Sequence, residues 1–265
     1  MRELIRLRQS SGLLMETAAS RLGWSKSKLY RLEAGRTRVM TDDLEDMLDL
    51  YEVRSPEREA LLQLGRDARR RGWWTAYADV FTGSYIALEA EAASIRINAN
   101  VVPGIFQTAE YAREMVTLTG LRLDSAEVER RVAARQVRQE ALFGRPTPPE
   151  VHVALDEAAL QRLVGGPAVM KKQAAGLAEA AARPNVTIQV LPFRAGGHAG
   201  IDGRFTIMSF PEPEDPPIAY VEGLMGDVYL ESEDDVGLYE LAWKRILPRA
   251  LSPAESTAMI MRGPR

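Results

Sequence analysis

From Gly23 to Gly35 the chain reads Gly23-Trp24-Ser25-Lys26-Ser27-Lys28-Leu29-Tyr30-Arg31-Leu32-Glu33-Ala34-Gly35. Ser25 has the hydroxyl to cap a helix by accepting from a free amide of its first turn, and Gly35 is a natural stop. Leu29 and Leu32 stand three apart and turn inward. Lys26, Ser27, Lys28, Tyr30 and Arg31 are left outside as a cationic, hydrogen-bonding face with no carboxylate, which suits a phosphate-lined groove. The other residues with chemical potential are Asp156 and Glu157 at a strand end, His198 in the glycine-rich stretch 195–203, and Glu222 on a later strand. A histidine with carboxylates has the types for acid–base work. No nucleophile motif accompanies them, and Gly196, Gly197, Gly200 and Gly203 do not follow a phosphate-binding template. A hairpin loop needs glycine in any case, so an enzyme is not expected. His152 and His198 are the only imidazoles, the first expected on a sheet face beneath a helix and the second in a flexible loop. With no cysteine in the chain, disulfides and thiolate sites are excluded and neither a metal nor a cofactor is expected.

The elements that hold such a face must come from 265 residues, enough for two domains, and the 46% hydrophobic and 27% charged composition is that of a soluble globular chain with a real core. Charge is uneven. Residues 1–40 carry nine Lys and Arg against Glu3, Glu16 and Glu33, a net +6, so a chain of net −3 has −9 in the remainder. A basic head on an acidic body is the pattern of a protein of which only the head meets a polyanion. No apolar run of signal-peptide or membrane-spanning length occurs, and a cytoplasmic location is expected.

Taken in order, Leu4 and Leu7 give a short first helix that stops before Ser11-Gly12. A second helix runs from about Met15 to Leu22, burying Leu14, Ala18, Ala19 and Leu22, and Gly23 ends it. After the helix already described, a loop carries Arg36 and Arg38. Thr41 then caps a fourth helix with Asp42 and Asp43 in its first turn and Leu44, Met47, Leu48 and Tyr51 along its inner side.

This order and spacing resemble the helix-turn-helix domain of lambda-repressor-like regulators, also called the xenobiotic-response-element family. The resemblance covers residues 1 to about 53 and rests on Gly12-Leu13, Ala18-Ala19, Leu22-Gly23, Leu29 and Leu32-Glu33-Ala34-Gly35. It implies that the third helix enters the major groove, with Lys26, Ser27 and Arg31 at base edges and Ser25, Lys28, Tyr30, Arg36 and Arg38 on phosphates. It also implies a buried ion pair of Arg8 with Glu33. Two departures stand out. Leu14-Met15 replaces the family's polar cap and following Gln, and the first helix lacks several residues at its start. Either the natural start lies upstream of Met1 or one head binds DNA weakly on its own.

Ser55-Pro56 opens a further helix with Leu61, Leu62 and Leu64 on its apolar side, ending in Arg66, Arg69, Arg70 and Arg71. It reads as a connector over residues 56–72 between a DNA-binding domain of residues 1–55 and a larger domain of residues 73–265. Trp73 and Trp74 are expected to seal the junction. Beyond them Tyr85, Leu88, Ala92 and Ile95 predict a helix, residues 97–101 an extended stretch, and Thr108 the cap of a helix with Tyr111, Met115 and Leu118 on one side. Asp124 and Glu127 form a capping box for a long helix through Phe143. Five short alternating strands follow, around 151–155, 186–190, 205–207, 220–221 and 228–230, with a helix over 168–182 between the first two. Ser232 and Asp235 cap a helix through Ile246, and Ser252-Pro253-Ala254-Glu255 caps the last. The fold class is α+β: an all-α head, then helices packed on a mixed, mainly antiparallel sheet.

The larger domain resembles the C-terminal domain, of uncharacterised function, in an actinobacterial family of such regulators. The resembling segments are Leu88–Ala92, Val102–Thr108, Arg135–Gln139, Leu155–Leu160, Val190–Phe193 and Ala250–Ser252. The resemblance implies a small partner protein encoded nearby and roles in development, secondary metabolism or toxin–antitoxin-like pairs. From the residues, Glu89, Gln107 and Arg135, with Trp73 and Trp74, are candidates for a ligand pocket; polar ties between helices are the other reading. The expectation is a transcription regulator that binds a double-stranded operator as a homodimer and senses a small protein or small molecule. The alternative is an antitoxin-like protein that sequesters a small partner and autoregulates its operon.

Overall fold

The computed structural model describes residues 2–33, 39, 41–67, 73–77, 79–81, 84–120, 123–212, 214–223 and 226–264. The chain divides into two compact units, Met1–Gly72 and Trp73–Arg265. Among the described residues the first contains five helices: α1 (Arg2–Ser10), α2 (Met15–Arg21), α3 (Lys26–Glu33), α4 (Thr41–Leu50) and α5 (Glu57–Asp67). Leu4 and Leu7, Ala18 and Ala19, Leu29, and Leu44, Met47, Leu48 and Tyr51 meet in one core. The alanines are fully buried, small enough for α3 to cross α2 closely. Leu61 and Leu62 of α5 pack against this same core.

Two expectations for the head need correction. Leu14 is 71% exposed: its backbone is extended (φ −70°, ψ 154°), so it precedes α2 and the helical spacing that would turn it inward does not apply. Thr41 lies within α4 rather than before it. Arg36, Arg38 and the stop at Gly35 fall outside the described residues.

The second unit is a mixed sheet of six strands between helices. Its elements are α6 (Tyr85–Glu91), β1 (Ser94–Ala99), α7 (Ala109–Thr119), α8 (Ser125–Phe143), β2 (Glu150–Asp156), α9 (Ala158–Gln161), α10 (Pro167–Ala181), β3 (Val186–Leu191), β4 (Phe205–Ser209), β5 (Ile218–Val221), β6 (Val228–Leu230), α11 (Glu233–Ile246) and α12 (Pro253–Arg262). Strand order is β3-β2-β1-β4-β5-β6. β1, β2 and β3 run parallel, joined by helical crossovers, while β4, β5 and β6 are antiparallel. Alternation along the strands makes two cores. Ile95, Ile97, Val151, Val153, Leu155, Ile188 and Val190 face a cluster with Tyr111, Leu177 and Ile260, whereas Ala154, Phe205 and Ile207 face Trp243 and Ile246 of α11.

The sheet differs from five strands because Ile95 belongs to β1, not to a helix: Ala92 is already extended (φ −63°, ψ 137°) and ends α6. The stretch expected merely as extended is thus one of the two central strands, and it separates β2 from β4. Leu118, expected inward, is 63% exposed in the last turn of α7. The caps at Thr108, Asp124, Ser232 and Ser252 all accept from the backbone of the following turn, and those at Asp124 and Ser252 are full capping boxes.

Candidate nucleic-acid interface

The approach to α3 is a tight turn. Gly23 takes a left-handed conformation (φ 68°), its N–H donates to Ser20 O at 3.1 Å, and Trp24 N donates to Ala19 O at 2.9 Å. Ser25 Oγ then accepts from Lys28 N at 3.1 Å, satisfying one amide at the helix start. Leu29 and Leu32 are buried, so Lys26, Ser27 and Tyr30 stand exposed on the other side.

Beneath this face lies a buried ionic anchor. Arg8 Nε donates to Glu33 Oε1 at 2.7 Å and Arg8 Nη2 to Glu33 Oε2 at 3.0 Å, a two-point fork from α1 to the end of α3. Arg8 Nη1 donates to Leu13 O at 3.0 Å, and Tyr51 Oη donates to Glu33 Oε1 at 3.5 Å. Hydrogen bonding to Glu33 raises the Arg8 pKa above its ordinary value, and burial next to that carboxylate pushes the Tyr51 hydroxyl up. Both shifts keep these two groups protonated, and so able to donate, across the physiological range.

The exposed cations are not isolated. Lys26 pairs with Glu16 of α2, and that ammonium lowers the Glu16 carboxyl below its usual range. Both partners are exposed, where solvent screens such a pair and it yields readily to a phosphate. Lys28 is held more firmly, with Nζ 2.6 Å from Asp43 Oδ1 of α4 and 3.8 Å from the Trp24 ring centroid. α3 itself carries no carboxylate on its outer face, but flanking helices supply two. Trp24, Glu16 and Asp43 were not legible as parts of this face, because nothing in spacing links them to Lys26 or Lys28. Over residues 1–72, fifteen Lys and Arg stand against twelve Asp and Glu, with Asp42, Asp43, Glu45, Asp46 and Asp49 all on α4. The head is therefore polarised by helix rather than uniformly basic.

In the larger unit, Glu89, Gln107 and Arg135 each bond to a different partner. Glu89 is buried in a pair with Arg138, whose Nε donates to Glu89 Oε1 at 2.8 Å. Arg135 donates from Nη1 to Ala112 O at 3.3 Å; burial lowers its pKa to about 10, with repulsion from Arg138 adding to the effect. Gln107 is buried, its Nε2 donating to Val102 O at 2.8 Å. Trp74 is half-buried in a short 3₁₀ turn over Trp73–Tyr77, and the Trp73 side chain falls outside the described residues.

Gln107 does line a cleft of about 610 Å³, with Phe106, Gln136, Gln139, Phe143 and Arg183. Gln139 Nε2 donates to Gly104 O at 2.9 Å and Gln107 O at 2.8 Å, and Gln173 Nε2 donates to Phe106 O at 2.7 Å. Glutamines of α8 and α10 thus clamp residues 104–108 into one wall. Gln107 Oε1 is buried with no hydrogen-bond partner among the described residues.

The acid–base candidates are occupied by structure. Asp156 Oδ1 accepts from Ala158 N at 2.7 Å, Glu157 Oε2 accepts from Phe193 N at 2.7 Å, and Glu222 pairs with Arg204 at 3.1 Å. His198 is not in open loop: its side chain is 7% exposed, Nδ1 accepts from Gly200 N at 3.2 Å, and Nε2 lies 3.7 Å from Asp156 Oδ2. His152 lies beneath α11, 2.8 Å from Gln189 Oε1 and edge-on to Trp243, and burial lowers its pKa. The 195–203 loop is tied down by Asn98, whose Nδ2 donates to Gly200 O at 2.9 Å and Gly203 O at 2.8 Å. A Cβ on Gly200 would lie 2.5 Å from Asn98 Oδ1. Gly200→Ala is expected to break this clamp and lower stability by about 1–3 kcal/mol. A urea midpoint unchanged from wild type would contradict it.

Three short helices with a glycine turn, the third of them (α3) anchored on its core face and basic on its outer face, define a helix-turn-helix DNA-binding module. Residues 2–61 match the helix-turn-helix domain family, so the chain carries the DNA-binding domain of a regulator at its N-terminus. The chain belongs to the family described as a domain of unknown function (DUF5753), which matches residues 82–262. No curated protein and no solved structure matches it.

Proposed function

We propose that the chain is a sequence-specific transcription regulator of the xenobiotic-response-element type, in the actinobacterial family its larger domain resembles. Residues 1–55 bind operator DNA, and residues 73–265 pair two copies and sense an effector. α3 lies in the major groove, with Lys26, Ser27 and Arg31 at base edges and Ser25, Lys28, Tyr30, Arg36 and Arg38 on phosphates. The observation that carries this reading is the Arg8–Glu33 fork, which fixes α3 from its buried side while its outer side stays basic and exposed. The Gln107 cleft supports the sensing role: it is concave, walled by clamped backbone and the Phe106–Phe143 pair. A small molecule fits such a cleft better than a protein surface does. The operator-binding state is then the one the effector favours or disfavours.

Salt dependence tests the phosphate contacts. With Lys28, Arg36 and Arg38 neutralising phosphates in each of two heads, the logarithm of affinity falls against the logarithm of salt with a slope of about −5. Lys28→Ala in both heads makes that slope shallower by about 2. Fluorescence anisotropy of the full chain on a duplex across a salt series measures both. Affinity that does not change with salt contradicts the proposed interface.

A further inference from the structure

Helix α11 covers one face of the sheet, with Val236, Trp243 and Ile246 turned inward. Its outer side has no such cover among the described residues: Leu238 is 66% exposed and Leu241 44%. Asp234, Leu238, Leu241 and Arg245 follow one another at intervals of four, three and four residues, one straight stripe along the helix. Such spacing is that of a helix–helix seam. The stripe is also its own complement in reverse. Acidic residues crowd the first turn and Lys244 and Arg245 the last, with the two leucines between. Asp234, Lys244 and Arg245 have no ion-pair partner among the described residues.

We propose that α11 is a two-fold interface, packing antiparallel against α11 of a second copy of this chain. Reversal about the midpoint of residues 239 and 240 sets Leu238 against Leu241 of the partner subunit and Asp234 against Arg245 of the partner subunit. Each contact occurs twice, as a closed two-fold pair requires. The long Lys244 side chain falls beside Gly237 of the partner subunit, where the absence of a side chain leaves open space. Antiparallel packing also sets the positive dipole end of each helix beside the negative end of the other. A parallel arrangement instead stacks acid on acid and base on base. A 14-residue helix pair is shorter than a standard interface needs, so the dimer is expected to be concentration dependent. This inference rests on the pairing of two heads proposed above, but not on what they read.

Sedimentation of the full chain without DNA, over a range of protein concentrations, tests it independently of operator binding. Wild type is expected to pass from monomer to dimer. Asp234→Arg and Arg245→Asp each place like charges across the seam, and each is expected to weaken association about tenfold or more; the double variant is expected to restore it. Leu238→Glu with Leu241→Glu is expected to remain monomeric. Circular dichroism checks that each variant keeps its fold, and the charge-swap rescue itself excludes unfolding as the cause. A wild type that stays monomeric, a dimer indifferent to these changes, or a double swap no better than either single one overturns the proposal. Loss of operator recognition with the dimer intact counts against the proposed DNA reading and leaves this interface supported.

Discussion

Glu33→Ala is expected to loosen the head by about 3–5 kcal/mol, because it leaves the Arg8 guanidinium buried without its counter-charge. Arg8 is 9% exposed and Glu33 3%, so water cannot easily replace what the substitution removes. The same carboxylate accepts from Tyr51, and its loss therefore frees α3 from α1 and from the end of α4 at once. Hydrogen exchange on the full chain reads the effect locally. Protection of the Leu29 and Leu32 amides should fall by about two to three and a half orders of magnitude, given about 1.4 kcal/mol per power of ten. Amides of β1, β2 and β3, in the other compact unit, serve as the internal reference. Replacing both partners, Arg8→Met with Glu33→Leu, should recover most of the loss, since an apolar pair of similar volume removes the stranded charge. Protection at α3 within about threefold of wild type in Glu33→Ala would show that the fork does not hold the helix.

The head was legible because its elements are set by short-range rules. Leucine spacing, a glycine turn and a serine cap each act within a few residues, and the Arg8–Glu33 fork follows from the relation of the first helix to the third that the family resemblance implied. What escaped were long-range neighbours. Asp43 reaches Lys28 from the start of α4 and Glu16 reaches Lys26 from α2, pairings that depend on how helices cross rather than on any pattern along the chain. Leu14 departs from the helical spacing because it precedes α2 rather than lying within it. In the larger domain the caps at Thr108, Asp124, Ser232 and Ser252 were plain, since a cap is a local bond. β1 was not, because its alternation of Ile95, Arg96, Ile97 and Asn98 runs on directly from a helix with apolar residues at helical spacing.

The candidate ligand residues show the same limit from the other side. Glu89 is a candidate from sequence for a pocket or a tie between helices, but its partner Arg138 is 49 residues away and three positions from Arg135, which has no carboxylate at hydrogen-bonding distance among the described residues. The cleft beside Gln107 takes its wall from Gln136, Gln139 and Gln173, residues whose side chains hold backbone carbonyls of residues 104–107. Glutamines on a helix give no sign from sequence that they clamp a distant loop.

The second large effect concerns base reading. Lys26 and Arg31 have the donors for guanine O6 and N7, and each good base contact is worth about 1–3 kcal/mol of discrimination. Removing both from each of two heads is expected to erase at least about a hundredfold of preference for the operator over unrelated duplex, while non-specific affinity falls far less. Lys26 is exposed and its ion partner among the described residues is the exposed Glu16, so its removal should leave the fold of the head unchanged. The most direct measurement is selection of bound duplexes from a random library by the full chain, followed by competition binding of wild type and the Lys26→Ala, Arg31→Ala variant on the selected sequence. The account predicts a defined sequence for wild type and near-equal affinity for selected and random duplex in the variant. A variant that keeps the wild-type preference would contradict the assignment of α3 as the reader.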